Sequence, residues 1–127
     1  MHRFFLIAAA LAAGTGVILG AFGAHGLRPV LTEAELAIYR TGVEYQIWHA
    51  LGIGMTGILA ALYPAHRLLR WAGALMLCGI LLFSGSLYLL SLTGQRWLGM
   101  ITPLGGVAFV AAWLALTVFA MRLPRRD

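Results

Sequence analysis

Long apolar runs separated by short polar breaks set the pattern of this chain. The first run extends from about residue 4 to 27, the second from 41 to 63, the third from 71 to 92 and the fourth from 98 to 121. Each approaches or exceeds the roughly 20 apolar residues that cross a bilayer as a helix. The breaks carry turn and helix-start chemistry. Pro29 ends the first helix, and Thr32 with Glu35 three positions later has the spacing of a capping box. This predicts a short helix at the membrane surface between the first two spans. Pro64 to Arg70 reads as a tight basic turn, Thr93 to Arg96 as the last loop, and Pro103 falls in the first turn of the fourth span. The fold class expected is all-α: a bundle of four transmembrane helices with a short outer surface helix, forming a single domain over residues 1–127.

Composition agrees. Hydrophobic residues make up 61% of the chain and charged residues 10%, where soluble domains have roughly 45–50% and 25%. The basic start Met1-His2-Arg3 before an apolar run also suits a signal peptide. That run is long for a cleaved h-region of about 7–15 residues, so a retained first span is expected.

Nine arginines and no lysine give a net charge of +5. They stand singly or in small groups beside the apolar runs, where topology signals and contacts to anionic headgroups belong, so the predicted partner is the lipid bilayer and not nucleic acid. Arg3, Arg67, Arg70, Arg122, Arg125 and Arg126 fall on one side of four spans, and Arg28, Arg40 and Arg96 on the other. The bias predicts a multi-pass protein of a bacterial inner membrane with both termini in the cytoplasm. Cys78 has no second cysteine to pair with in the chain.

On that topology the polar residues of the spans gather in the outer half. They are His25 at the end of the first span, Glu44, Tyr45, Gln46 and His49 at the start of the second, Ser84, Ser86 and Tyr88 late in the third, and Thr102 at the start of the fourth. Ionisable and polar groups at membrane depth are costly unless paired, and so mark a candidate polar cluster or ligand site. Helical geometry of 100° per residue puts Tyr45 and His49 on one face and turns Glu44 away from His49. Arg40, four residues before Glu44, is the natural ion-pair partner. His25 and His49 are the candidates for a metal or haem ligand, although no short paired-ligand spacing accompanies them; no cofactor is predicted. No nucleophile, base and orienting group appear together, so no catalytic residue is assigned and an enzyme is the least favoured class. Gly16 and Gly20 form a GxxxG pattern suited to close helix packing, within the monomer or across a homo-oligomer.

Several of these polar segments resemble one family throughout: Gly20-Ala-Phe-Gly-Ala-His-Gly-Leu27, Tyr45-Gln46 with His49-Ala50, Phe83-Ser-Gly-Ser-Leu-Tyr88, Leu92-Thr-Gly94 and Ile101-Thr-Pro-Leu-Gly-Gly106. It is the small multi-pass membrane family catalogued as domain of unknown function 423, with transmembrane protein 256 among its relatives. The resemblance implies a bundle of about four membrane helices and brings no reaction with it. Three roles are therefore set out: a scaffold or accessory subunit of a membrane complex; a binding or transport protein with an outer-leaflet pocket for lipid, small molecule or ion; and, last, a metal- or haem-binding membrane enzyme.

Overall fold

The computed structural model describes residues 1–64 and 66–124. Ala65 of the basic turn, and Arg125, Arg126 and Asp127 of the polar tail, lie outside the described residues. Four long helices account for most of the chain: α1 (His2–His25), α2 (Glu33–Leu62), α3 (Arg67–Thr93) and α4 (Thr102–Met121). α1, α3 and the stretch Arg96–Met121 are each long and apolar enough to cross a membrane. α2 is the longest helix, and its inward face carries the polar residues described below.

The capping box forms as the spacing predicts. Glu35 N–H donates to Thr32 Oγ1 at 3.2 Å, while Thr32 N–H and its hydroxyl donate to Glu35 Oε2 at 2.8 and 3.0 Å. These two Thr32 donors, the backbone one foremost, hold the Glu35 carboxyl below its ordinary pKa. The short surface helix is not a separate element, however. From Glu33 the helix continues unbroken to Leu62, because no proline falls between Ala34 and Leu62 to interrupt it. Its 30 residues make about 45 Å at 1.5 Å per residue, against a hydrocarbon core of about 30 Å. The first turns of α2 occupy the residues expected to form the separate surface helix.

Neighbouring helices run antiparallel. At one end Phe5 of α1 meets Gly73 of α3, Leu6 faces Gly57 of α2, and Tyr63 stacks edge-on against Phe119 of α4 at 5.3 Å. At the other end Tyr39 of α2 faces Gly23 of α1, Tyr88 of α3 faces Gly42 of α2, and Phe83 of α3 backs onto Gly105 of α4. An apolar core at the first end gathers Phe5, Ile53, Leu69, Met76, Leu116 and Phe119 from all four helices. A smaller cluster of Leu27, Leu36, Tyr39 and Val43 lies at the second end.

Two details position the polar half. α3 widens into a π-turn over Ile80–Ser84, a local form that is rare and recurs at functional sites. Gly94, with φ of 69°, ends α3 in the left-handed region that favours glycine. A 3₁₀ turn, Arg96–Met100, then leads to α4, so this helix starts a turn later than the apolar run alone suggests, with Pro103 in its first turn.

Candidate functional site

Leu36, Tyr39, Val43, Gln46, His49, Ile53, Thr56 and Ala60 recur at three- and four-residue steps and form the buried stripe of α2. Polar members of that stripe have to find partners within the protein, since lipid supplies none; Thr56 finds its own in the Gly52 carbonyl one turn back, at 2.8 Å.

Gln46 binds three helices together. Its Nε2 donates to the Ala12 carbonyl at 2.9 Å and to Thr15 Oγ1 at 3.0 Å on α1, and its Oε1 accepts from the Tyr88 hydroxyl of α3 at 2.7 Å. Thr15 in turn donates to the Leu11 carbonyl at 2.8 Å. The Tyr88 ring reaches Gln46 by passing Gly42, where an added Cβ would come within 2.9 Å of it. Tyr39 packs on Tyr88, with ring centroids 5.1 Å apart, and donates its hydroxyl to the Leu19 carbonyl at 2.7 Å.

His49 is fixed at both nitrogens. Trp113 Nε1 can only donate, and lies 3.1 Å from His49 Nε2, so Nε2 accepts. The imidazole proton then sits on Nδ1, which donates to the Tyr45 carbonyl at 2.7 Å. The ring lies flat on Phe109 at 3.4 Å and 12°, with Tyr45 stacked on the same system at 5.9 Å. Tyr45 and His49 thus share a face.

A third group joins α3 to α4. Ser86 Oγ and Thr102 Oγ1 lie 2.7 Å apart, Ser86 Oγ donates to the Phe83 carbonyl at 2.9 Å, and Thr102 Oγ1 reaches back to the Leu98 carbonyl at 3.5 Å. If Ser86 uses its one proton on Phe83, Thr102 donates across the interface. Ser84, in the π-turn, is wholly buried and its hydroxyl has no hydrogen-bond partner among the described residues.

The polar residues singled out in the sequence therefore separate. Gln46 with Tyr88, His49 with Tyr45, and Ser86 with Thr102 form successive links inside the bundle, while Ser84 stands apart. His25 and Glu44 are exposed. Glu44 lines a groove of about 130 Å³ with Arg40, Tyr39, Val43, Gly20, Gly23 and Ala24. Among the described residues no three of His, Cys, Asp and Glu gather in a way that could hold a metal ion. His25 and His49 have unlike surroundings, one at an open helix end and one inside the bundle. Gly16 and Gly20 face α2, where an added Cβ would lie 2.9 Å from Ile47 and 3.3 Å from Val43.

Three partners in these links were not singled out in the sequence: Thr15, Tyr39 and Trp113. Trp113 carried a usable signal. It lies mid-span, away from the interface where tryptophan usually anchors, and a buried indole N–H needs an acceptor. Thr15 carried little, because a threonine in a membrane helix commonly bonds its own backbone.

A helical chain with long apolar helices and a hydrogen-bonded polar interior defines a small helical membrane protein. The family described as "Protein of unknown function (DUF423)" matches residues 19–106, and the chain belongs to it. It is 46% identical over 120 residues to the UPF0382 membrane protein YwdK of Bacillus subtilis, covering 94% of this chain and 98% of that protein. It is 41% identical over 125 residues to the UPF0382 inner membrane protein YgdD of Escherichia coli K12, covering 98% and 94% respectively. No solved structure matches the chain.

Proposed function

We propose that residues 1–127 form one transmembrane domain crossing the bilayer four times, with both termini in the cytoplasm, and that it serves as a scaffold or accessory subunit packing against a second copy or a larger membrane partner. The observation that carries this reading is the internal engagement of its deepest polar groups. Gln46 and His49 direct their hydrogen-bonding atoms at Ala12, Thr15, Tyr88, Tyr45 and Trp113, which ties helices together and leaves a ligand little to bind. The exposed side of α1 supports the assembly half of the reading. Only 11% of the most apolar stretch of α1 is buried, against 33% for α3. Beside it, a groove of about 490 Å³ between α1 and α2 is lined by Ala9, Ala10, Ala13, Ala50 and Gly54 among others, and small residues let a further helix approach closely. The arginine bias and the inner-membrane relative support the orientation and location.

The test is the native mass of the purified chain in mild detergent. A dimer or a stoichiometric complex that dissociates in Ala13→Leu is expected. A monomer at every concentration, with no bound protein, overturns the scaffold.

One observation favours a second reading. The groove at Arg40 and Glu44 sets opposite charges beside Gly20 and Gly23 at the outer end, a setting suited to a lipid headgroup, a small molecule or an ion. Glu44→Gln is then expected to lower the phospholipid retained by the folded protein. Unchanged retention removes this reading.

A further inference from the structure

At the opposite end of the bundle from the polar links, α3 begins where α4 ends. A groove of about 560 Å³ lies there, lined by His66, Arg67, Leu68, Trp71 and Arg122. Two guanidinium groups thus come from two different helices to one opening. The first turn of α3 holds no acidic residue, and its N-cap, His66, makes no side-chain capping bond. The first N–H groups and the positive end of the α3 dipole add to the cationic character of the arginines, and the carbonyl end of α4, capped by Arg122, offsets part of it, so that the two guanidinium groups supply most of the charge. His66 is held edge-on to Phe119 at 4.8 Å and 85°, and its Nδ1 is buried with no hydrogen-bond partner among the described residues.

The remaining walls are apolar. Leu68 and Trp71 line the groove, and Trp71 is 59% exposed, as a side chain at the headgroup level would be. A free anion gains nothing from such walls. An amphiphile with a phosphate next to acyl chains uses both.

We propose that this groove binds the phosphate group of an anionic phospholipid, with Arg67 and Arg122 as its paired cations and Trp71 and Leu68 against the glycerol and acyl region. Guanidinium groups bind phosphate in bidentate fashion, and basic recesses between membrane helices suit such headgroups. The inference requires that the chain be embedded in a bilayer and does not depend on the scaffold role.

The experiment uses the full chain incubated with vesicles of equimolar phosphatidylcholine and phosphatidylglycerol, then read by native mass spectrometry for retained lipid. A preference for phosphatidylglycerol is expected, falling about fivefold for each of Arg67→Gln and Arg122→Gln and unchanged in Arg96→Gln at the other end. Arg67→Lys, which keeps the charge, is expected to recover part of the loss. A photoactivatable phosphatidylglycerol applied to the unaltered chain is expected to label the segment holding Leu68 and Trp71. Equal retention of both lipids, a preference insensitive to Arg67 and Arg122, or labelling confined to other segments overturns the proposal. So does displacement of the bound species by inorganic phosphate alone, which would make free phosphate the ligand. Because lipid preference is read apart from oligomer mass, its failure is distinct from failure of the scaffold.

Discussion

The two halves of this bundle solve one problem by different means. In the half around Phe5, Gly73, Met76 and Phe119, aromatic and aliphatic side chains fill notches left by glycine. In the half around Gln46, His49 and Ser86, hydrogen bonds run from helix to helix. Lipid tails are as apolar as leucine, so burying apolar surface does little to drive helices together in a membrane; close packing and polar contacts have to do so. The comparison indicates that a chain this small packs on glycine at both ends and adds interhelical hydrogen bonds at one, so that each half has its own way of failing.

Glycine substitutions break the packing most severely, in an order set by what the new methyl group meets. At Gly73 it would come within 2.5 Å of the Phe5 ring, which is buried and has nowhere to turn, so Gly73→Ala is expected to destabilise by about 3 kcal/mol, the upper end for overpacking. At Gly52 it would lie 2.8 Å from the flexible Met76 thioether, and Gly52→Ala is expected to cost about 1 kcal/mol. Gly14→Ala meets nothing within 4 Å and is expected to be neutral. Reversible unfolding in mild detergent or bicelles measures the series; a different ranking contradicts the packing account.

The hydrogen-bonded half is expected to lose less. Gln46→Leu removes three interhelical bonds, and at about 0.6 kcal/mol each the loss is about 2 kcal/mol. Trp113→Phe removes one bond, to His49, and is expected to cost about 0.6 kcal/mol. If both variants unfold as easily as Gly73→Ala, hydrogen bonding dominates the whole bundle and the contrast between halves disappears.

Smaller effects come from the rim. Because Thr32 lowers the Glu35 pKa from its ordinary 4.5, the capping box contributes stability that is complete above the unfolded value and fades as pH falls through the folded one. Thr32→Ala is expected to remove that acid-range dependence, seen as a flatter pH profile of helix content. A small effect of the opposite sign is expected inside the bundle, for Ser84→Ala. Since the Ser84 hydroxyl is buried with no partner among the described residues, its loss is expected to leave stability within about 0.5 kcal/mol of the original, on the stabilising side. A larger loss would reveal a partner for Ser84.

How much of this could be read from the sequence depended on how far apart the interacting residues lie. Thr32 and Glu35 are three positions apart, and their capping box was legible in full. The apolar runs placed the helices to within a turn, except where the expected surface helix merged with α2, since nothing between Ala34 and Thr41 marks a break. The polar cluster was legible as a set of residue types and not as a set of contacts. Gln46 and Thr15 are 31 positions apart and His49 and Trp113 are 64 apart. Whether they meet depends on how each helix is rotated about its axis, which apolar length does not specify. Glu44 shows the same limit from the other side: one position from Tyr45 and two from Gln46, it turns outward while Gln46 turns in.

The π-turn at Ile80–Ser84 bears on this question of rotation. A helix advances about 100° per residue, so one residue taken up in a wide turn resets the angular phase of everything after it. Gly79, which admits Phe109, lies before the turn, and Ser86 and Tyr88, which reach Thr102 and Gln46, lie after it. The wide turn sets the phase between these two groups. Deleting a single residue there would let α3 close into a regular α-helix with Ser86 and Tyr88 still facing their partners, whereas straightening the turn with every residue kept would swing them about a quarter-turn away. The chain's tolerance of length change therefore differs along one helix: a residue lost between Ile80 and Ser84 is absorbed by closing the wide turn, whereas a residue lost in the regular turns before it, between Leu69 and Gly79, rotates the two halves of α3 against each other.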